Sequence, residues 1–314
     1  MKRKKQQMGV VSSSSSSTCD TAISHLRNSK GDSIYLVGTA HISNNSASLV
    51  SRVFSGVSPD LIMVELDKKR LNVVTDEDAA AAASDDGRNQ DSSTTTSSNE
   101  QKQQQKKKNL VLSDLRAKFA SLKKTLSHPK ESILSFVIGK IITKMYQGIG
   151  KEGIPVGGEF IAAFKYASDA RIPVLLGDRP IDLTFERLGQ AASTEDLTKI
   201  LTPDEEDAKE LGILYGVNGE EEIGSAQDLA MQVEMLKNRE TVGALQGYIA
   251  RKSPELYAAL IGERDAYMAE SLSGAIQKEY KNIVAVVGFA HLNGIEKYLQ
   301  ESGFKLVDMC YSPA

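Results

Sequence analysis

The sequence predicts an α/β fold, a mostly parallel central sheet flanked by helices with a helical cap or subdomain built from the middle of the chain. The runs "SIYLVGTA", "LIMVEL", "IPVLLGD", "NIVAVVGFA" and "FKLVDM" are dominated by apolar residues. Strands of that kind are buried on both faces, as in parallel sheets. Helical patterns separate them, which is the alternation that builds layered α/β architectures. From about residue 185 to 280 the pattern turns mostly helical, which supplies the cap.

Taken in order, residues 1–30 contain "SSSSSS" after a basic start and read as a disordered tail. The domain then runs over 31–314. "SIYLVGTA" is the first strand. "SNNSASLVSRVFSG" comes next as a helix, with Asn/Ser caps and Leu49, Val50, Val53 and Phe54 on one face. "LIMVEL" is the second strand. Residues 75–108 are acidic, then basic, with no apolar residue other than Ala. They read as a solvated insertion loop inside the fold, tolerable because loop-closure cost grows slowly with length. "GGEFIAAFKYASDAR" spaces Ile161, Phe164, Ala167 and Ala170 helically before the third strand, "IPVLLGD". "TPDEE" reads as a capping box. Ser253 and Pro254 start a long helix through "ELYAALIGERDAYMAESLSGAIQKEY". The chain closes on strand, helix and strand.

Net charge is −3, with 25% charged and 40% hydrophobic residues. That balance suits a globular protein and argues against a nucleic-acid binder. The cysteines, Cys19 and Cys310, sit at opposite ends and form no framework, as in a reducing compartment. No apolar run approaches the ~18 residues of a membrane span. The best candidate, "SILSFVIGKIITKMY", is broken by Lys140 and Lys144. "MKRKKQQ" leads into no signal-peptide core, so secretion is not expected. A basic tail or an organelle-targeting segment fits that start. The expected location is cytoplasmic, or associated with mitochondria or another organelle.

Two segments echo each other. "YLVGTAHIS" and "VAVVGFAHLNGI" both run apolar, Gly, two residues, His, with the histidines at His41 and His291. Gly38 and Gly288 allow a sharp turn or a close approach of another chain. In open α/β sheets, ligands bind outside the carboxyl ends of strands. His41, His291, Glu65 and Asp178 all lie just past such ends. If the strands are parallel, the four share one rim. Two neutral imidazoles and a carboxylate suit a transition metal. Equally, one His suits general-base work beside a carboxylate.

Each candidate has a plainer reading. Glu65, closing a buried strand, needs a partner, and Arg179 or Arg264 would make it a structural ion pair. Glu159 stands after two glycines at a helix start, where it either stabilises the helix dipole or faces a ligand. Arg264, among apolar neighbours in "ERDAYM", either points into the site or sits on a solvated helix face. There is no phosphate-binding Walker loop, no Gly-x-Ser-x-Gly, no His-Glu-x-x-His and no Cys pair at zinc spacing.

The set "YLVGTAHIS", "IMVELDKKR", "GGEF", "LLGDRPIDLTFERL", "ERDAYM" and "VVGFAHLNGI" resembles the TraB family, TraB/PrgY-like proteins, over about residues 33–311. The 75–108 insertion departs from the family but falls between its motifs. The resemblance extends to the TIKI metalloproteases, haem-binding ChaN-like proteins and erythromycin-esterase-like hydrolases. It implies a metal-dependent, peptidase-like hydrolase. His41, His291 and Glu159 would hold a divalent metal such as Mn, Co or Zn, and Glu65 would be the alternative carboxylate. Catalytic roles would fall to Glu65, Glu159, Arg264, His41 and His291. Gly38, Gly288, Asp178 and Arg179 would line the ligand site. The substrate would be a peptide or protein. The resemblance also implies two alternatives: a non-catalytic adaptor at a mitochondrial or endoplasmic-reticulum membrane surface, or a haem or metal binder. Eukaryotic members often carry a C-terminal membrane anchor. This chain ends at "DMCYSPA", so direct anchoring is not expected and any membrane association would be peripheral.

Overall fold

A computed structural model describes residues 22–39, 44–71, 158–195, 199–200, 204–210 and 238–308. The insertion at 75–108, the apolar candidate around Lys140, both cysteines, His128 and His41 lie outside these residues.

The strands are β1 (Ile23–Arg27), β2 (Ser33–Thr39), β3 (Leu61–Val64), β4 (Val174–Leu176), β5 (Asn282–Gly288) and β6 (Lys305–Asp308). They form one sheet in the order β4-β3-β5-β2-β1-β6. β4, β3, β5 and β2 are mutually parallel. β1 runs antiparallel to β2 and to β6. The expected mostly parallel sheet is therefore present. Its centre is dry: Leu36, Val37, Ile62, Met63, Val64, Ile283, Val284, Ala285, Val286 and Val287 are fully buried. Runs that are apolar throughout demand cover on both faces, and helices provide it.

The helices are α1 (Asn44–Val57), α2 (Gly158–Ala170), α3 (Ile181–Thr194), α4 (Glu205–Glu210), α5 (Arg239–Lys252), α6 (Pro254–Tyr257), α7 (Glu263–Gln277) and α8 (Leu292–Glu301). A π-helical turn, Ala258–Gly262, joins α6 to α7. The elements described between 181 and 277 are all helical. On α1, Leu49, Val50, Val53 and Phe54 are buried as expected. α2 differs from expectation. It buries Phe160, Ala163 and Ala167 and leaves Ile161 49% exposed. The core-facing stripe of a helix is set by its neighbour, and here Tyr166 also reaches back to stack on Phe54 of α1. No helix among the described residues is long and apolar enough to cross a membrane.

The stretch assigned to a disordered tail needs correction at its end. Residues 23–27 form β1, inserted between β2 and β6. His25 is buried there, stacked on Tyr35 with ring centroids 4.2 Å apart and bonded to Ser33 Oγ at 3.1 Å. "ISHLR" is too short and mixed to signal a strand by itself. It pairs because β2 presents an open edge.

Candidate functional site

The parallel register brings the glycines of the repeated motif onto neighbouring strands. Gly38 of β2 pairs with Val287 of β5, and Thr39 pairs with Gly288. The two motif glycines lie on adjacent parallel strands, one residue out of step, and both strands end at the same rim. Neither glycine adopts a left-handed conformation. Gly38 is required by close approach: a Cβ there would lie 2.5 Å from Leu292 Cδ1 and 3.0 Å from Phe289 Cδ2. The start of α8 therefore packs directly on β2. At Gly288 the backbone N–H donates to Glu65 Oε2 at 2.6 Å.

Hydrogen bonding of the sheet type continues past the strand ends and fixes the rim. Glu65 N donates to Val286 O at 3.1 Å, and Asp178 N donates to Leu66 O at 3.3 Å. Glu65 and Asp178 are consequently buried side by side. The positive charge between them comes from α7. Arg264 donates through Nη2 to Glu65 Oε1, through Nη2 to Asp178 Oδ2 at 2.6 Å, and through Nε to both Asp178 oxygens at 3.2 Å. The solvated-face reading of Arg264 is thus overturned, and Glu65 has Arg264 as its ion-pair partner, not Arg179.

His291 comes after β5 on a short 3-10 turn, 4% exposed. Its Nδ1 lies 2.5 Å from Asp265 Oδ1. Its Nε2 lies 3.0 Å from Arg264 Nη1 and 3.3 Å from Glu65 Oε1. A guanidinium nitrogen only donates, so the Arg264 contact suits a neutral ring with its lone pair at Nε2. The Glu65 contact suits a ring protonated at Nε2. Burial alone would strip the charge from the ring, but Glu65 and the Asp265 hydrogen bond outweigh burial and the opposing Arg264, and the pKa rises to about 9. Burial also pushes the Asp265 carboxyl up, against the pull of His291. At Asp178, burial opposes ionisation, but Arg264 and Arg70 outweigh it and hold the carboxyl below its ordinary range.

Several members of this cluster are not among the residues that the sequence marks as site candidates. Asp265 neighbours Arg264 in "ERDAYM". Arg70 and Asp67 lie in "ELDKKR": Arg70 Nη2 donates to Asp178 Oδ2 at 2.5 Å and its Nε donates to Asp67 Oδ1 at 2.8 Å. Gly294 of "HLNGI" faces Asp265, and a Cβ there would overlap Oδ2. The usable signal is charge: buried motifs rich in Asp and Arg must pair with one another.

Two further candidates, Arg179 and Glu159, are also buried. Arg179 is buried, and its guanidinium is taken up by partners other than His291. It donates to Glu263 Oε2 at 2.5 Å, to Thr184 Oγ1 at 2.9 Å and to Ala259 O at 2.6 Å. Glu159 is buried in the first turn of α2. Among the described residues, no group of three or more His, Cys, Asp or Glu is arranged to hold a metal ion.

Together these features define an α/β protein with a buried His–carboxylate–Arg cluster at the carboxyl rim of its parallel strands. The profile of the TraB/PrgY/gumN family matches residues 24–307, and the chain belongs to that family. An uncharacterized protein of Methanocaldococcus jannaschii is 31% identical over 274 residues, covering 85% of this chain and 53% of that protein. TraB domain-containing proteins of Bos taurus and Homo sapiens are 27% and 26% identical over 286 residues, covering 85% of this chain and 62% of each relative. The chain thus matches little more than half the length of these relatives.

Proposed function

We propose that the chain is a peptidase-like hydrolase of amide or ester bonds in which His291 is the proton-transfer group. The observation that carries this reading is the pair of partners at Nε2. Arg264 Nη1 accommodates the lone pair and Glu65 Oε1 accommodates a proton, while Asp265 holds Nδ1. Both protonation states are therefore provided for, as a general acid–base requires. In this reading the neutral form of His291, which becomes the major form only above about pH 9, takes a proton from the water that attacks a substrate carbonyl, so turnover should rise with pH toward that value. The new N–H turns to Glu65. The same proton then passes to the leaving amine as its C–N bond breaks. Arg264, beside Nε2, supplies positive charge for the substrate carbonyl oxygen as it becomes an oxyanion.

A divalent ion, Mn, Co or Zn, is implied by the family resemblance. The described part of the site does not fit one as arranged. Among the described residues no group of three or more His, Cys, Asp or Glu is arranged to hold one, and Arg264 lies between Glu65, Asp178 and His291. No step above runs through a metal. One observation favours a second, cation-binding reading: Glu65, Asp67, Asp178 and Asp265 outnumber Arg70 and Arg264 in the cluster. In that reading His41, His291 and Glu159 or Glu65 supply the ligands.

The deciding experiment is a peptide-library cleavage screen on the purified chain, with and without chelator and with Mn, Co or Zn restored, alongside His291→Ala and Asp265→Asn. Turnover lost in folded His291→Ala supports the hydrolase, and its dependence on added ion separates the two readings. No cleavage under any condition, or undiminished cleavage in His291→Ala, overturns it and leaves the non-catalytic adaptor.

A further inference from the structure

The helix that carries Arg264 and Asp265 is irregular just before them. In the π turn Ala258–Gly262 the Glu263 N–H reaches back to Ala258 O. Such a turn holds one more residue than an α turn. Each residue after it therefore takes the slot its predecessor would hold in an uninterrupted helix, a rotation of about 100°. The consequence here is one of charge. Without the π turn, the slot facing Glu65 and Asp178 would hold Glu263, and Arg264 would face the Asp265 side of His291. Two carboxylates would meet a third, buried. The single extra residue puts the guanidinium against the carboxylates and the carboxylate against Nδ1.

π turns are rare interruptions of an α-helix, so the contacts that hold this one matter. Arg179 touches it twice, at the Ala259 carbonyl (2.6 Å) and at Glu263 Oε2 (2.5 Å). Its own freedom is removed by Thr184 Oγ1 at Nε, and its backbone N–H donates to Asp178 Oδ1 at 2.8 Å. It is 6% exposed. Arg264 Nη1 adds a bond to Leu260 O at 3.2 Å. Arg187 shares Glu263 but lies further out, bonding Glu255 and Gln190 instead of the turn's backbone.

We propose that Arg179 is a positioning residue: by clamping the Ala259 carbonyl and Glu263 it holds the π turn and thereby sets the register of Arg264 and Asp265 against His291. Its bearing on catalysis rests on the hydrolase reading; its test does not. The readout is the His291 ring by NMR, both the Nδ1–H resonance shifted by the Asp265 hydrogen bond and the ring's titration midpoint. Arg179→Met should lose that resonance and move the midpoint by more than about one pH unit, the size of shift that loss of a close charge partner produces, with the far-UV spectrum unchanged. Arg179→Lys keeps the charge near Glu263 but cannot span both acceptors, and should do the same. Arg187→Met should leave both signals in place.

An unmoved His291 signal in either Arg179 variant overturns the proposal. So does an equal shift in Arg187→Met. Should both Arg179 variants fail to fold, the unsubstituted chain decides: the Arg179 Nη protons that reach Glu263 and the Ala259 carbonyl are expected to be resolved and slow to exchange with solvent, and rapid exchange overturns the clamp. Where turnover exists, Arg179→Lys should lower kcat on the order of 100-fold, as misplacement of a reacting group does, with KM little changed. Absence of turnover defeats the hydrolase reading and leaves the NMR result standing.

Discussion

Asp265 Oδ1 and His291 Nδ1 lie 2.5 Å apart, both buried, one from the helix after the π turn and the other from the end of β5. This contact orients the ring and leaves Nε2 directed at Arg264 and Glu65. Asp265→Asn keeps the shape and removes the charge. The His291 midpoint should fall from about 9 toward the ordinary imidazole value. Histidine titration by NMR checks this, and an unchanged midpoint would show that Asp265 does not act on the ring.

Arg264, with its side chain 14% exposed, is the positive centre of the cluster. Arg264→Met removes it from Glu65 and Asp178 and leaves both carboxylates without their shared guanidinium. Breaking a buried pair in this way costs about 3–5 kcal/mol. Urea unfolding should show a loss of that order, nearly independent of salt because the pair is shielded from solvent. A loss below about 1 kcal/mol, the range of exposed pairs, would mean the pair is hydrated.

Close packing of the second motif predicts intolerance at two glycines. Gly294→Ala drives a methyl group into Asp265, and Gly38→Ala drives one into Leu292 and Phe289. Overpacking of this kind costs about 1–3 kcal/mol. The variants should differ at the ring. Gly294→Ala should shift the His291 titration by displacing its carboxylate partner, whereas Gly38→Ala should lower Tm with a smaller effect on the ring.

Stability should fall on both sides of neutrality. The His291 pKa is raised above its unfolded value, so its contribution is complete below about 6.5 and is lost as pH rises through about 9. His25 has the opposite sign. Burial, with help from Arg27, lowers its pKa against the pull of Asp308, so the fold loses stability as pH falls below the ordinary imidazole value of 6.5. Unfolding free energies measured from about pH 5 to 10 should trace this dome. His291→Gln should flatten its alkaline limb and His25→Gln its acid limb.

Metal content separates the two readings of the cluster. With Arg264 lying among Glu65, Asp178 and His291, the chain is expected to keep no stoichiometric Mn, Co or Zn after chelation and reloading, by elemental analysis. Near-stoichiometric metal that disappears in folded His291→Ala would instead establish the cation-binding reading.

The amino-acid sequence by itself determined the apolar strands, their parallel association, and the placement of Glu65, Asp178 and His291 just past strand ends. It could do so because a strand buried on both faces is written in a continuous apolar run, and the first polar residue after it must lie at the rim. β1 is not legible in this way because five mixed residues carry no periodicity, and only the open edge of β2 makes them a strand. The partners at the rim were decided by the tertiary structure alone. Arg264 and Asp265 are adjacent in sequence and about 100° apart on a helix, so which of them meets Glu65 and which meets His291 depends on helix register. That register is set by one extra residue in a π turn, and the turn is held by Arg179 from a different part of the chain. Long-range contacts between buried charges carry no local pattern, which is why the cluster became visible only once the elements were packed.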